Sequence, residues 1–166
     1  EKALGATIHS SVTGVVRAIE PRPHPTMVVC DAVVIDRDPD AAPREYESED
    51  WRKVSREQLL ARVKDAGIVG LGGAGFPTSV KLNPGPDREV DLLVINAAEC
   101  EPFISCDEAL MCCRTQDVID GIRIMRRALN ARLAVIGIED NMPNAIECLQ
   151  KGLEKSGQTD IRLIPI

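Results

Sequence analysis

Three short apolar runs dominate the second half of the chain: Asp91–Ala97 (DLLVINA), Arg132–Ile138 (RLAVIGI) and Asp160–Ile166 (DIRLIPI). Each is seven residues long and bounded by charge or turn residues, which suits a buried strand. Helical patterns separate them. Asp107–Arg114 reads as a short helix, and Thr115 is placed to cap a longer one in which Val118, Ile119, Ile122, Met125 and Leu129 keep helical spacing. Pro143–Lys155 reads as a third helix, with Pro at its first turn. Strand–helix–strand–helix–strand with short links implies a parallel sheet. Only Trp51, Tyr46, Phe76 and Phe103 are aromatic, so the core has to be aliphatic. The fold class expected is α/β, a Rossmann-like parallel sheet with flanking helices.

Residues 1–45 differ. Ala6–Ser10, Thr13–Ile19, Met27–Val29 and Val33–Ile35 read as short strands, with a bend over Val12–Gly14 and a loop marked by Pro21, Pro23 and Pro25. Arg37–Asp50 is charged and proline-punctuated, so a β segment over 1–45 is followed by a linker to about residue 54. An unpaired sheet edge over residues 6–35 could pair between copies, giving a homo-oligomer. The second domain runs from 55 to 166. It opens on Ser55-Arg56-Glu57-Gln58, a capping box, followed by an apolar stripe of Leu59, Leu60 and Val63, with Gly67 ending the helix.

Charge and cysteine usage remove several functional classes. The net charge of −6 and the lack of a basic run argue against nucleic acid as a partner. No stretch approaches the ~18 apolar residues of a membrane span. The six cysteines, Cys30, Cys100, Cys106, Cys112, Cys113 and Cys148, contain no C-x-x-C pair, so neither zinc-ribbon nor ferredoxin spacing occurs and no metal site is expected. They read as small buried apolar residues of a reducing compartment.

Chemistry concentrates in Gly67–Lys81, where five glycines fall within nine residues. Such a loop exposes backbone N–H groups and lets the chain approach a ligand where a Cβ would collide. A helix opening near Pro77 and Thr78 would add its N-terminal end for a phosphate, and Lys81 a point charge. Gly70, Gly72 and Gly75 satisfy G-x-G-x-x-G, but a helix rather than a strand precedes them, so this is not the dinucleotide fingerprint. A second polar cluster, Asn96 to Pro102, begins where the first parallel strand ends, the usual ligand edge of an open α/β sheet. Asn96 can donate and accept at a heteroaromatic edge; Glu99 and Glu101 can accept from ribose hydroxyls or a carboxamide. Each cluster alone also has an ordinary account, as a packing turn or as acids leading into a helix start.

Together the two motifs, Gly-Leu-Gly-Gly-Ala-Gly-Phe-Pro-Thr-x-x-Lys at 70–81 and Leu-Val-Ile-Asn-Ala-Ala-Glu-Cys-Glu-Pro at 93–102, closely resemble RnfC. That family is the NADH- and FMN-binding subunit of the Rnf electron-transport complex, related to the flavoprotein subunit of respiratory complex I. Ile8–Glu20 resembles the later part of the family's barrel-sandwich, lipoyl-like N-terminal domain, with no acceptor Lys at its turn. The resemblance implies that Gly70, Gly72, Gly73, Ala74 and Gly75 cradle FMN, with Lys81 on its phosphate or ring and Asn96 near the isoalloxazine. It implies that Phe76 flanks the NADH site and that Glu99 and Glu101 contact the nicotinamide nucleotide. No side chain is expected to be catalytic, because the flavin carries the chemistry: hydride from NADH, then electrons to iron–sulfur centres. It further implies a cytoplasmic protein, peripheral on the inner face of the bacterial cell membrane, partnered by other Rnf subunits. The family's second flavin-binding stretch and its 4Fe-4S cysteine motifs are not found within these residues, so the chain reads as truncated at both ends. A cofactor-free interaction module is the alternative. A thiol enzyme built on Cys100, Glu99 and Glu101 has only His9 and His24 as histidine bases, both distant in sequence.

Overall fold

The computed structural model describes residues 4–42, 44–46, 48–71, 75–85, 87–99 and 103–166. The chain forms two compact units, one over Thr7–Asp50 and the other over Trp51–Ile166 together with residues 4–6.

The first unit is an antiparallel hairpin of β1 (Gly14–Pro23) and β2 (Val29–Arg37), running in register from Gly14 opposite Arg37 to Pro23 opposite Val29. A bulge between Val16 and Ala18 offsets the ladder. Two expectations fail here. Ala6–Ser10 is not a strand, and Pro21 and Pro23 lie inside β1 rather than in a loop. The physical reason is alternation. The His24 amide donates to Val28 O (2.8 Å) across the turn, so His24 faces the partner strand and Pro23 and Pro21 present their missing donors outward. Gly14 is required: a Cβ there would stand 2.1 Å from Asp36 O.

The second unit is α/β, as the sequence implies. Helix α1 (Arg56–Asp65) carries the capping box: Ser55 Oγ accepts from the Gln58 amide (3.2 Å), and Gln58 Oε1 from the Ser55 amide (3.0 Å). Its other end closes through Gly67 at φ +67°, with Gly67 N–H on Lys64 O and Ile68 N–H on Val63 O, a Schellman pair. A single helical turn, α2 (Thr78–Lys81), follows. Then come β3 (Leu92–Ala97), α3 (Cys106–Cys113), α4 (Thr115–Leu129), β4 (Leu133–Ile138), α5 (Pro143–Ser156) and β5 (Ile161–Pro165). The strands form one parallel sheet in the order β3-β4-β5, with Ala97 opposite Ile138 and Ile138 opposite Pro165.

Strand alternation builds the core. Leu93, Ala97, Ala134, Ile136, Ile138 and Ile161 are buried in one cluster with Ile119 and Ile122 of α4 and Ala145, Leu149 and Leu153 of α5. The intervening residues are less covered: Leu92, Val94, Ile164 and Ile166 along the outer strands are exposed, and Leu133 and Val135 of β4 are half-buried. The runs that look two-sided in sequence are therefore buried on a single face. The cysteines also depart from the buried role expected of them. Cys30, Cys106 and Cys113 are exposed, and Cys112 and Cys148 are partly covered. Thr115 is the first residue of α4, not its cap. Its hydroxyl donates back to Met111 O (2.6 Å) and Cys112 O (3.2 Å), tying the end of α3 to the start of α4.

Candidate functional site

The glycine loop is held by a narrow stem. Val69 and Pro77 form an antiparallel bridge, Gly70 N–H donates to Phe76 O (2.9 Å), and Thr78 N–H donates to Ile68 O (2.9 Å). Gly75 takes φ +62°, a conformation that disfavours any residue with a side chain. Gly72, Gly73 and Ala74, expected to contact FMN, lie outside the described residues.

Lys81 ends the single turn of α2 and folds back over the stem. A Cβ built on Gly70 would lie 2.8 Å from Lys81 Nζ, so the ammonium sits where that glycine leaves room. The same nitrogen is 5.9 Å from the centroid of the half-exposed Phe76 ring, a cation–π distance. Among the described residues Lys81 makes no ion pair with a carboxylate. With α2 only four residues long, the helix end expected to help hold a phosphate supplies little dipole, and the positive charge is that of Lys81.

The second cluster follows β3. Asn96 Oδ1 accepts from the Ala98 amide (3.1 Å), an Asx-type turn that bends the chain off the strand. Glu99 then does something its position in sequence does not reveal. Its Oε1 accepts from the Asp107 amide (3.0 Å) and its Oε2 from the Glu108 amide (3.3 Å), while the Cys106 thiol donates to Oε1 (3.5 Å). Ser105, the residue before α3, makes no side-chain cap, so a carboxylate from a distant loop caps the helix instead. These backbone donors, Asp107 N–H first, hold the Glu99 carboxyl below its usual range. The hydrogen bond to Glu99, with some desolvation and the Asp107 charge, pushes the Cys106 thiol up. Glu99, Cys106 and Asp107 thus gather three ligand-type atoms within 4.8 Å of one another, but Glu99 is occupied by main-chain amides. Glu101 and Cys100 lie outside the described residues.

The structure therefore joins Gly70, Phe76 and Lys81 in one group and Asn96, Ala98 and Glu99 in another. Among the described residues no hydrogen bond or ion pair links the groups. Sequence reasoning missed the arginines. Arg127 donates to the carbonyls of Trp51 (3.0 Å), Arg52 (2.5 Å) and Val54 (2.7 Å), and Arg56 to Ala128 O (2.6 Å). Both line a cavity of about 790 Å³ with Asn83, Arg88 and Asp91, but they are committed to main-chain carbonyls and serve the fold.

A three-stranded parallel sheet with flanking helices defines an α/β protein, and comparison with known proteins narrows the class. The chain belongs to the Nuo51 FMN-binding domain family, which it matches over residues 63–166. It is 40% identical over 156 residues to a component of the proton-translocating ferredoxin:NAD(+) oxidoreductase complex of Clostridium ljungdahlii, covering 91% of this chain and 34% of that relative. Among solved structures it is similar to an NAD+-reducing NiFe-hydrogenase in the H2-reduced state, with a TM-score of 0.60 and 28% identity, over 67% of this chain and 21% of that one. The air-oxidised state of such a hydrogenase gives 0.53 and 25%, over 67% and 20%. The chain thus spans about a third of the length of the curated relative it matches. The resemblance read from the two motifs is borne out. No helix among the described residues is long and apolar enough to cross a membrane.

Proposed function

We propose that this chain supplies the FMN-phosphate side of an NADH-oxidising flavoprotein subunit, with Lys81 as the phosphate partner. One observation carries the proposal. Lys81 places an ammonium with no carboxylate partner among the described residues over a glycine stem, where a Cβ on Gly70 would come within 2.8 Å. Such a cradle fits a phosphate, and membership of an FMN-binding family selects which one. Gly70, Gly72, Gly73, Ala74 and Gly75 would offer main-chain amides and close approach, and Phe76 an aromatic edge at the nicotinamide. Asn96 would address the ring system. Glu99 has three donors on its carboxylate, which leaves a lone-pair position for a ribose hydroxyl, and Glu101 would take the neighbouring contact.

FMN, when bound, supplies hydride acceptance from NADH and release of electrons one at a time to 4Fe-4S centres. The chain's residues bind and orient. The domain pair, a β segment over 1–45 with a linker to about 54 and an FMN/NADH-binding domain over 55–166, belongs to the same proposal. So does a setting among the other subunits of an Rnf-type complex, supported by the clostridial relative's name as a subunit of a proton-translocating ferredoxin:NAD(+) oxidoreductase complex, and a place on the inner membrane face, which rests on the family resemblance alone.

The test is fluorescence titration with FMN and, separately, with riboflavin, which lacks the phosphate. FMN is expected to bind saturably, with Kd about tenfold weaker in Lys81→Ala, the scale of one charge-assisted contact. Riboflavin affinity should be the same in both proteins. Equal FMN affinity in both proteins would overturn the role of Lys81, and an FMN that never saturates would overturn the site.

A further inference from the structure

The starts of the three parallel strands gather arginines that the proposed flavin site does not use. Asp91, Arg132 and Asp160 stand immediately before β3, β4 and β5. The Arg132 amide donates to Asp91 O (3.1 Å) and the Ala134 amide to Asp160 O (2.9 Å), which ties this edge together. Helix α4 ends at the same edge, where Arg126 pairs with Asp160. The cavity of about 790 Å³ opens here, beside Asp91 and at the opposite end of β3 from Asn96. The six residues of that strand put about 20 Å between its two ends. Lys81 is not part of the lining.

A helix C-terminus is the negative end of its dipole and by itself repels an anion. In α4 that end is already covered. The Arg126 and Arg127 carbonyls accept from the Ala131 (3.0 Å) and Asn130 (3.1 Å) amides, and the Ala128 carbonyl accepts from Arg56 Nε (2.6 Å). A carbonyl occupies N–H groups without neutralising charge, so the bonds that fix Arg56 and Arg127 leave both fully cationic. Of the five donors of a guanidinium, Arg56 uses two, on Ala128 O and Asn83 Oδ1, and Arg127 uses three. Arg88, exposed on the segment before β3, lines the same cavity. Among the described residues Arg56, Arg88 and Arg127 pair with no carboxylate, whereas Arg123 is paired with Asp120 and Arg126 with Asp160. Glu89 and Asp91 also line the cavity, so its wall stays one positive charge ahead in a chain whose net charge is −6.

We propose that this cavity is a second binding site, for a small polyanion bearing phosphate or carboxylate oxygens, held by Arg56, Arg88 and Arg127. Its volume is that of a small-molecule site and exceeds a single phosphate group. A guanidinium fork matches two oxygens of one anionic group, and three forks suit a ligand with more than one such group. Arg56 and Arg127 are held in place before any ligand arrives, so little side-chain freedom is lost on binding. Arg88 adds its charge from the exposed side, and Glu89 beside it opposes the anion. The site does not depend on the flavin reading and would stand if Lys81 held no phosphate.

The test is calorimetric titration of the whole chain at low salt with pyrophosphate and, separately, with citrate. Trp51 gives a second readout. It is the only tryptophan, its carbonyl is held by Arg127 (3.0 Å), and its ring lies 5.1 Å from the Arg123 guanidinium in an adjoining cavity that shares Arg127. Saturable binding is expected, and the tighter of the two anions names the chemistry of the ligand. Arg88→Ala should weaken Kd about three- to tenfold. Glu89→Gln should tighten it about two- to threefold, the scale of an exposed charge interaction. Arg114→Ala removes the same charge at the other end of α4 and should leave Kd unchanged. Saturating FMN and Lys81→Ala should leave it unchanged too, which separates this site from the glycine loop whether or not FMN binds there. Absence of saturable binding for both anions, equal weakening in Arg88→Ala and Arg114→Ala, or loss of binding in Lys81→Ala would overturn the proposal.

Discussion

The hairpin unit and the α/β unit use the same apolar residue types to opposite effect. Every buried hydrophobic residue among those described lies at or beyond Val54, and none lies in Thr7–Asp50. In the hairpin Val15, Val16, Ile19, Val29 and Val33 are all exposed, although β1 and β2 pair over their full length. The first unit is therefore held by backbone pairing with no buried apolar side chain to add to it, whereas the second adds helices that close over one face of its sheet. A two-stranded ribbon is marginal by itself, and a sheet with a covered face is not. Stability in this chain should track coverage rather than strand content.

The largest effect expected follows directly. Leu149, fully buried between α5 and the sheet, and Val33, more than half exposed on β2, are both aliphatic. Leu149→Ala should lower the unfolding free energy by about 2–5 kcal/mol, because the lost contacts leave a cavity. Val33→Ala should change it by less than ~0.5 kcal/mol. Urea titration followed by circular dichroism measures both, and similar midpoints would break the contrast.

The same contrast decided what could be read from sequence. The three parallel strands and α5 are legible to within about a residue at each end, because burial on a helix-covered face imposes an unmistakable apolar run. The capping box at Ser55 and the stop at Gly67 are local codes and are equally legible. The hairpin is not: nothing buried enforces its pattern, so Pro21 and Pro23 suggest a loop, and only the His24 turn shows that they face outward. In the candidate site the glycine loop and Asn96 can be found by composition. The side chain that holds α3 cannot, because Glu99 acts from eight and nine residues away.

The long-range arginines are illegible for the same reason, and Arg127 gives the intermediate effect. It gathers three carbonyls of the segment preceding α1, and that segment ends in the buried Val54. Arg127→Ala should cost about 1.5–3 kcal/mol, since the donor is charged and its acceptors lose their partner. Hydrogen exchange should speed up at α1 and at the Trp51–Lys53 turn while the β4 amides stay protected. Uniform acceleration across the sheet would show that Arg127 supports the whole unit instead of one edge of it.

The smallest effect belongs to Glu99, and it is a matter of pH. Backbone donors depress its folded-state pKa below the usual carboxylate value, which is about 4.3 in an unfolded chain. A group with a depressed folded pKa contributes stability that is present above the unfolded value and is lost as pH falls through the folded one. Wild type should therefore unfold at a higher temperature than Glu99→Gln at pH 6, with the gap closing between about pH 5 and pH 3. The side chain is partly solvated, so the gap should be small and should shrink in added salt. The same substitution removes the carboxylate that raises the Cys106 thiol. Alkylation of Cys106 by iodoacetamide near neutral pH should then run faster in Glu99→Gln, because a larger fraction is thiolate. If the gap in unfolding temperature stayed constant down to pH 3 and Cys106 alkylated at the wild-type rate, Glu99 would not be the charged cap of α3. The N-terminus of that helix would then be held, as the hairpin largely is, by backbone geometry.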